Sequence, residues 1–411
     1  MKRTIVLSVG IAAAMLVAAC SVAKTSSGAS GTSGASSAVP TTAASAGPAT
    51  GTPLKFGAAV PLTGPAATSG RQLQSALEAS AKYLNAHGGA AGHPIEWTIE
   101  DNGFPSGTQG SVAVHNLVDD GVLAVLNFGT PGVTATYSYL VSQKVPDLIL
   151  FAGIGSLEPL DPSAASIYTD YGTQGASLGK YMAATYPGKT VAVLYQNDPL
   201  GQGYLAGFKK FDNNIKTAQP YVSSDTDFSS QLNAMKASGA DLAACFCLSG
   251  QIAQVLKFRQ SAGWNVPVVT ESSNAGAALV TAVGASLAEN VISNDFFPPT
   301  SGPAATPQIT SLITNMQSVD SSVPVTSFTV VAAALNEVIA GTAAKAATTL
   351  TRDTLMAALH STTLTGAWYG QTSSLVASPA RSIFSCWKPN VIHAGVPVPD
   401  GDVVVCEKDL S

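Results

Sequence analysis

The sequence predicts an α/β protein made of two similar lobes, each built on a parallel central sheet. Three observations predict it. Short apolar runs alternate with helical patterns of roughly ten residues or more, the signature of βαβ units. Two of the runs, VLAVL at 122–126 and VAVL at 191–194, are apolar at every position, as strands buried on both faces are. The chain also repeats a unit. DGVLAVLNFGT at 120–130 leads through a helical stretch to Val145 and Pro146 and an apolar strand, and ADLAACFCLS at 240–249 leads likewise to Val266 and Pro267.

The elements follow in order. A strand over 54–60 runs into a loop at 61–65, and a helix over 70–87 is stopped by Gly88 and Gly89. Strands are expected over 94–101, 122–127 and 147–152, with helices over 108–119 and 131–143 between them. The rhythm resumes with strands over 190–196, 241–247 and 266–270 and helices over 203–213, 228–238 and 251–262. Past Asn294 the order changes: helices over 308–316, 326–347 and 352–359 precede a strand-rich tail over 366–406. A chain that crosses between two lobes more than once produces such a change.

The N-terminus sets the compartment. Lys2 and Arg3 precede an apolar run over 5–17 that has signal-peptide length. It ends in Val17, Ala18, Ala19 and Cys20, which resembles the lipobox of bacterial lipoproteins, where the Cys carries the lipid and becomes the mature N-terminus. The plainer reading is an ordinary leader with an incidental Cys. Residues 21–53 are almost all Ser, Gly, Ala, Thr and Pro with Lys24 as the one charge, so they read as a flexible tether. No later run reads as a membrane span, since 330–347 is interrupted by Asn336, Glu337 and Lys345.

Formal net charge is -5 and 11% of residues are charged, with no basic block, which argues against a nucleic-acid partner. Cys386 and Cys406 lie in the strand-rich tail of a secreted chain and are expected to pair, closing a loop of about 20 residues worth roughly 3 kcal/mol. Cys245 and Cys247 sit two apart on an expected strand, so their side chains should point to opposite faces. They read as small buried apolar residues. Other pairings of the four remain open.

No catalytic constellation stands out: there is no nucleophile elbow and no phosphate loop. His87, His93, His115, His360 and His393 are scattered, no metal cluster is expected, and no cofactor motif is complete. Anion-friendly turns are the better signal. In open α/β sheets, ligands bind at the carboxyl ends of strands, where helices begin. Gly129 and Thr130 open such a helix, with Thr130 a natural N-cap and Pro131 a natural first residue, so free N–H groups there would suit a carboxylate. Gly153, Ile154 and Gly155 form a second turn of this kind. Every α/β protein caps helices in this way, so the turns alone do not decide the matter.

The order of short motifs carries a resemblance. KFGAAVPLTGP at 55–65, NAHGGAAG at 85–92, Asp101 with Asn102, VAVLYQND at 191–198, LGQG at 200–203 and DTDFS at 225–229 resemble the Leu/Ile/Val-binding-protein-like family, the type I solute receptors of ABC importers. The resemblance runs from Leu54 to the end. It implies the type I periplasmic-binding-protein fold: two Rossmann-like lobes joined by three crossovers, placed near Tyr171, Asn294 and Gly366. Lobe 1 would then comprise 54–170 with 295–365, and lobe 2 would comprise 171–294 with 366–411, after a leader over 1–19 and an anchored linker over 20–53.

Family binding positions correspond to Gly129, Thr130, Gly153, Ile154 and Gly155, which would grip a carboxylate, and to Glu271, which would pair with a ligand ammonium. A solvated loop charge is the alternative for Glu271. Where the family often has aromatics, this chain has Leu200 and Leu248, which implies a wider or more apolar pocket. Tyr171, Tyr137 and Phe128 are the candidates for replacement walls. The resemblance implies a lipid-anchored, extracytoplasmic protein that closes around a small carboxylate-bearing, amino-acid-like ligand and delivers it to an ABC permease. No enzymatic activity and no cofactor are expected. The alternative is a sensor of the same fold that signals to a membrane partner.

Overall fold

The computed structural model describes residues 47–411 apart from 65, 223, 275, 297–298, 301–304, 347–349, 362, 366–371, 375–381 and 411. The expected leader, Cys20 and most of the tether lie outside the described residues.

Lobe 1 is a sheet of parallel strands. β1 (Leu54–Val60), β2 (Ile95–Asp101), β3 (Val125–Phe128), β4 (Asp147–Leu150) and β5 (Ala164–Tyr168) are joined by β13 (Ser382–Phe384) in the order β13-β5-β4-β3-β1-β2. Both faces are covered, which is why its strands read as continuous apolar runs. On β1, Phe56, Ala58 and Val60 pack with helices α1 (Ala67–Ala86), α10 (Pro307–Val319) and α11 (Ser327–Ala346). The alternate residue Ala59 packs with Ala113, Val114 and Leu117 of α2 (Gly107–Asp119) on the other face. Helices α3 (Thr130–Ser142) and α12 (Arg352–Ser361) complete the layers. By length and composition α11 is apolar enough to cross a membrane, which the sequence reading did not expect. It is instead the core helix of this lobe, mostly buried.

Lobe 2 repeats the plan with β6 (Val191–Gln196), β7 (Ile215–Tyr221), β8 (Leu242–Phe246), β9 (Val268–Thr270) and β10 (Val291–Asp295). Its sheet runs β15-β14-β10-β9-β8-β6-β7. The antiparallel β14 (Cys386–His393) and β15 (Val396–Pro399) extend it past β10, and β16 (Val405–Cys406) pairs with β14. Helices α4 (Tyr171–Thr185) and α5 (Pro199–Phe208) cover one face, while α6 (Ser229–Ala237) and α7 (Ser249–Ser261) cover the other, with the short α8 (Gly276–Val283) and α9 (Ala285–Ala288) beside them. A hairpin of β11 (Thr363–Thr365) and β12 (Thr372–Ser374) stands apart from both sheets.

The chain passes from the first sheet to the second between β5 and α4, returns between β10 and α10, and passes again between β13 and β14. The third passage falls at Ser385 rather than near Gly366, because Ser382 and Phe384 pair in parallel with Ser166 and Tyr168 of β5. The second-lobe span expected over 366–411 therefore begins after β13. Cys386 and Cys406 are bonded directly beyond that passage, opposite each other in the β14–β16 ladder.

Two local expectations are also corrected. The helix expected over 203–213 starts earlier, at Pro199, because the Asp198 side chain caps it by accepting from the N–H groups of Leu200 (3.0 Å) and Gly201 (3.2 Å). Cys245 and Cys247 are disulfide-bonded, with Cα atoms 5.3 Å apart. The strand ends at Phe246, so Cys247 has left the pleat and the opposite-face rule no longer governs it.

Candidate functional site

All three passages leave or enter at the carboxyl ends of parallel strands. That edge of each sheet therefore faces the other lobe, where α/β proteins place their ligands. From lobe 1 it presents the start of α3 and the loop after β4. Gly129, with φ 87°, is the N-cap of α3, and Thr130 is its first residue. Thr130 is thus not the N-cap expected from the sequence. A glycine reaches that backbone conformation without the penalty a side chain incurs, so it takes the cap position. This frees the Thr130 hydroxyl for another partner, and it lies 3.2 Å from the Tyr171 hydroxyl. Pro131 has no N–H and the Val133 N–H donates to the Gly129 carbonyl (3.1 Å), so the Thr130 and Gly132 N–H groups remain as donors at the positive end of a helix dipole.

Tyr171, the first residue of α4, ties the two lobes together. Its hydroxyl donates to the Phe151 carbonyl (2.9 Å) and its N–H donates to the Gly153 carbonyl (2.9 Å). Burial raises the phenol above its usual range, so it stays neutral and able to donate. Gly153 is needed for this approach. A Cβ there would stand 2.7 Å from the Tyr171 nitrogen and 2.9 Å from the Asp170 Cα. Gly155 starts a single 3₁₀ turn, and Ile154 packs with Tyr137 against Val133 and Ile149.

From lobe 2 the edge presents Glu271, directly after β9. It is 3% exposed, so it is not a solvated loop charge. Its carboxylate accepts from the Ser273 N–H (2.7 Å) and from the Ser273 hydroxyl. Burial pushes its carboxyl up to about 7, outweighing those bonds, and Asp295 adds to the rise. Among the described residues no ion pair reaches it. Asn274, 2% exposed, donates to the carbonyl of Cys247 and to the Thr270 hydroxyl (3.1 Å), but its own side-chain oxygen has no partner among the described residues. This wall of the site therefore holds a carboxylate with no cation and one unpaired amide oxygen among the described residues.

A network missed in the sequence holds Glu271 in place. The Gln174 side-chain oxygen accepts from the Tyr204 hydroxyl and from the Ser272 hydroxyl (3.3 Å), and the Gln174 amide donates to the Thr169 carbonyl at the first passage (2.7 Å). Gln174 lies one turn along α4 from Tyr171, a spacing that becomes readable only once α4 is known to be a helix. Leu200 packs with Tyr171 and Tyr204, and Leu248, at the N-cap of α7, rests against the same cluster. Phe128 is buried in the lobe 1 core, and the Tyr137 hydroxyl accepts from the Asp161 N–H (2.8 Å). Of the three candidate aromatic walls, only Tyr171 touches both lobes.

The structure thus gathers Thr130, Gly153 and Tyr171 at one junction, with Glu271, Leu200 and Leu248 on the facing lobe.

Comparison with known proteins gives the family. The model of the periplasmic binding protein family matches residues 53–377. A Leu/Ile/Val-binding protein homologue of Brucella abortus is 28% identical over 199 residues, 46% of this chain and 52% of the relative. The chain thus spans about half the length of the curated relatives it matches. Among solved structures, the branched-chain amino acid transporter substrate-binding protein LivJ from Streptococcus pneumoniae, in complex with isoleucine, superposes with a TM-score of 0.74 at 18% identity, covering 86% of this chain and 99% of that one. The fatty acid ABC transporter substrate-binding protein from Thermomonospora curvata superposes with a TM-score of 0.73 at 20% identity, covering 89% and 95%. With its two parallel sheets and three passages between them, the chain belongs to the periplasmic binding protein family and has the Leu/Ile/Val-binding-protein-like, type I form of its fold.

Proposed function

We propose that this protein is an extracytoplasmic, lipid-anchored solute receptor that captures an amino-acid-like zwitterion between its lobes and delivers it to an ABC importer. The observation that carries this reading is Glu271: a carboxylate 3% exposed, at the ligand-facing edge of lobe 2, with no cation partner among the described residues. A buried carboxylate without a counter-ion is costly, and a ligand ammonium is the group that relieves the cost. Opposite it, the Thr130 and Gly132 N–H groups at the start of α3 suit the ligand carboxylate, while the Thr130 hydroxyl is engaged by Tyr171. Gly153, Ile154 and Gly155 shape the same wall, and Leu200 and Leu248 leave apolar room beside it. The related structures named above bind isoleucine and carry the name of a fatty acid transporter, and both of those solutes bear a carboxylate.

In this reading Cys20 carries the lipid and residues 21–53 are the tether that lets the receptor reach its permease. Hinge closure around the ligand, the mode in which periplasmic binding proteins act, makes the closed shape the signal the permease reads.

Native mass spectrometry of protein purified without a denaturing step tests the reading. An added mass that is lost on denaturation and returns with an amino acid is expected. A thermal-shift panel of amino acids with no stabilisation at millimolar concentration would sink it.

A further inference from the structure

Aromatic residues stand at the carboxyl ends of the lobe 1 strands. Phe104 follows β2, Phe128 ends β3, Phe151 follows β4 and Tyr168 ends β5. Their rings form one continuous row. Phe104 meets Phe128 edge-on at 6.1 Å, Phe128 meets Phe151 at 5.6 Å, and Phe151 meets Tyr168 at 5.1 Å. Such spacings are those of favourable aromatic pairs. Phe128 and Tyr168 are buried, whereas Phe104 and Phe151 are only partly covered. Both follow the carboxyl ends of strands and so lie at the edge that carries Gly129 and the Tyr171 junction, and Phe151 also meets Phe328 of α11 at 5.3 Å.

Two further observations aim these rings at the site. Phe151 has φ 53°, a left-handed backbone that a non-glycine residue adopts only at a cost, and such strain collects at functional positions. In that conformation its carbonyl takes the Tyr171 hydroxyl while its ring stays in the row. The Phe104 ring, for its part, lies where a Cβ on Gly129 would stand, 2.9 Å from that position. It thus borders the turn that begins α3. Across from this floor the lobe 2 wall carries Leu200 and Leu248 beside Tyr171 and Tyr204.

We propose that the ligand is an amino acid with an aromatic side chain, its ring seated on Phe104 and Phe151. Resting on the zwitterion reading above, this adds the identity of the side chain. An aromatic ring gains offset or edge-on contacts with such a floor beyond those of an aliphatic chain of equal area. Phe104 and Phe151 are then the residues that set specificity, while Glu271 and the start of α3 hold the groups common to all amino acids.

Calorimetric titration of the purified protein with L-phenylalanine and L-leucine tests this, with Phe104→Leu and Phe151→Leu as variants. The wild type is expected to bind L-phenylalanine at least tenfold more tightly than L-leucine. Each variant should lose most of that preference. L-leucine bound as tightly as L-phenylalanine, or a preference unchanged in both variants, overturns the aromatic assignment and leaves the zwitterion site standing. If neither probe binds the wild type, the aromatic assignment falls, and the amino-acid panel above decides the zwitterion reading. The wild-type preference needs no variant to fold, so the first comparison is decisive on its own.

Discussion

Replacing Glu271 by Gln should move stability and affinity in opposite directions. Burial holds the Glu271 carboxyl at about 7, against 4.5 for a free one. Between those pH values the folded protein keeps a proton that the unfolded chain releases, so stability falls as pH rises through the window. At 1.36 kcal/mol per pH unit, the full interval is worth at most about 3 kcal/mol above pH 7. Glutamine abolishes this dependence but can accept only one of the two bonds from Ser273, a loss of about 1 kcal/mol. The variant should therefore be about 1–2 kcal/mol more stable than wild type at pH 8 and slightly less stable at pH 4. Ligand affinity moves the other way. Hydrogen bonds to a charged group contribute about 1.5–3 kcal/mol, so the variant should bind an amino acid roughly tenfold to a hundredfold more weakly. Wild-type affinity should also fall about tenfold for each pH unit below about 7, because the ligand needs the ionised carboxylate. Urea unfolding at pH 4 and 8, with calorimetry at pH 6 and 8, measures all of these. A variant destabilised at pH 8, or one whose affinity stays within twofold of wild type, refutes the argument.

Three further outcomes are expected. Asp147, 1% exposed, is likewise pushed up to about 7 by burial, and one oxygen each of Asp147 and Asn127 lacks a partner. Asp147→Asn should stabilise lobe 1 by about 1–3 kcal/mol at pH 8 and by almost nothing at pH 4, read from urea midpoints; destabilisation at pH 8 would count against it. Cys406→Ser opens the loop to Cys386, 20 residues away in sequence, and should cost about 3 kcal/mol of stability, while mass mapping of the wild type under non-reducing conditions should find no free thiol at either position. Gly153→Ala forces a methyl against the backbone at Asp170 and Tyr171, so a loss of about 1–3 kcal/mol is expected together with weaker binding, and an unchanged melting temperature would contradict the close approach.

Much of lobe 1 was legible because its signals are local. The strand over Leu54–Val60 is small and apolar apart from the exposed Lys55, and the helix after it ends where Gly88 and Gly89 take left-handed backbone angles. Helix α4 was not legible, because Gly172, Gly175 and Gly179 lower its helix propensity. Packing explains at least one of them: a Cβ on Gly175 would fall 2.2 Å from the Tyr204 carbonyl oxygen of α5. The residues that join the two helices thus argue locally against one of them. Strand β7 was missed for a different reason. It is the half-exposed edge of its sheet and carries Pro220, which an edge tolerates and a central strand does not. In the site, resemblance placed Glu271, but nothing local announced its burial or the Gln174 network behind it. Phe104 and Phe151 follow strand ends that were read correctly to within a few residues. Their role depends on strand order, which alternation alone does not supply.

In the proposed reading the two lobes offer opposite chemistry, and that division would let one ligand bring them together. Lobe 1 contributes donors at its edge: the Thr130 and Gly132 N–H groups of α3, with the Thr130 hydroxyl already engaged by Tyr171. Lobe 2 contributes acceptors, the Glu271 carboxylate and the Asn274 oxygen that has no partner among the described residues. Among the described residues Glu271 has hydrogen bonds from Ser273 but no cation, and a buried charge without one is costlier when water is excluded. A carboxylic acid without an amine answers only lobe 1 and leaves Glu271 buried and unpaired. An amine without a carboxylate answers only lobe 2. An α-amino acid carries both groups on a single carbon, so it meets both demands only where the two edges face each other. Its affinity for the facing arrangement therefore exceeds its affinity for either lobe alone, and that difference is what shifts a hinge equilibrium. Scarcity of charge sharpens the effect. With 11% of residues charged and no ion pair to Glu271 among the described residues, the proposed ligand would supply the cation.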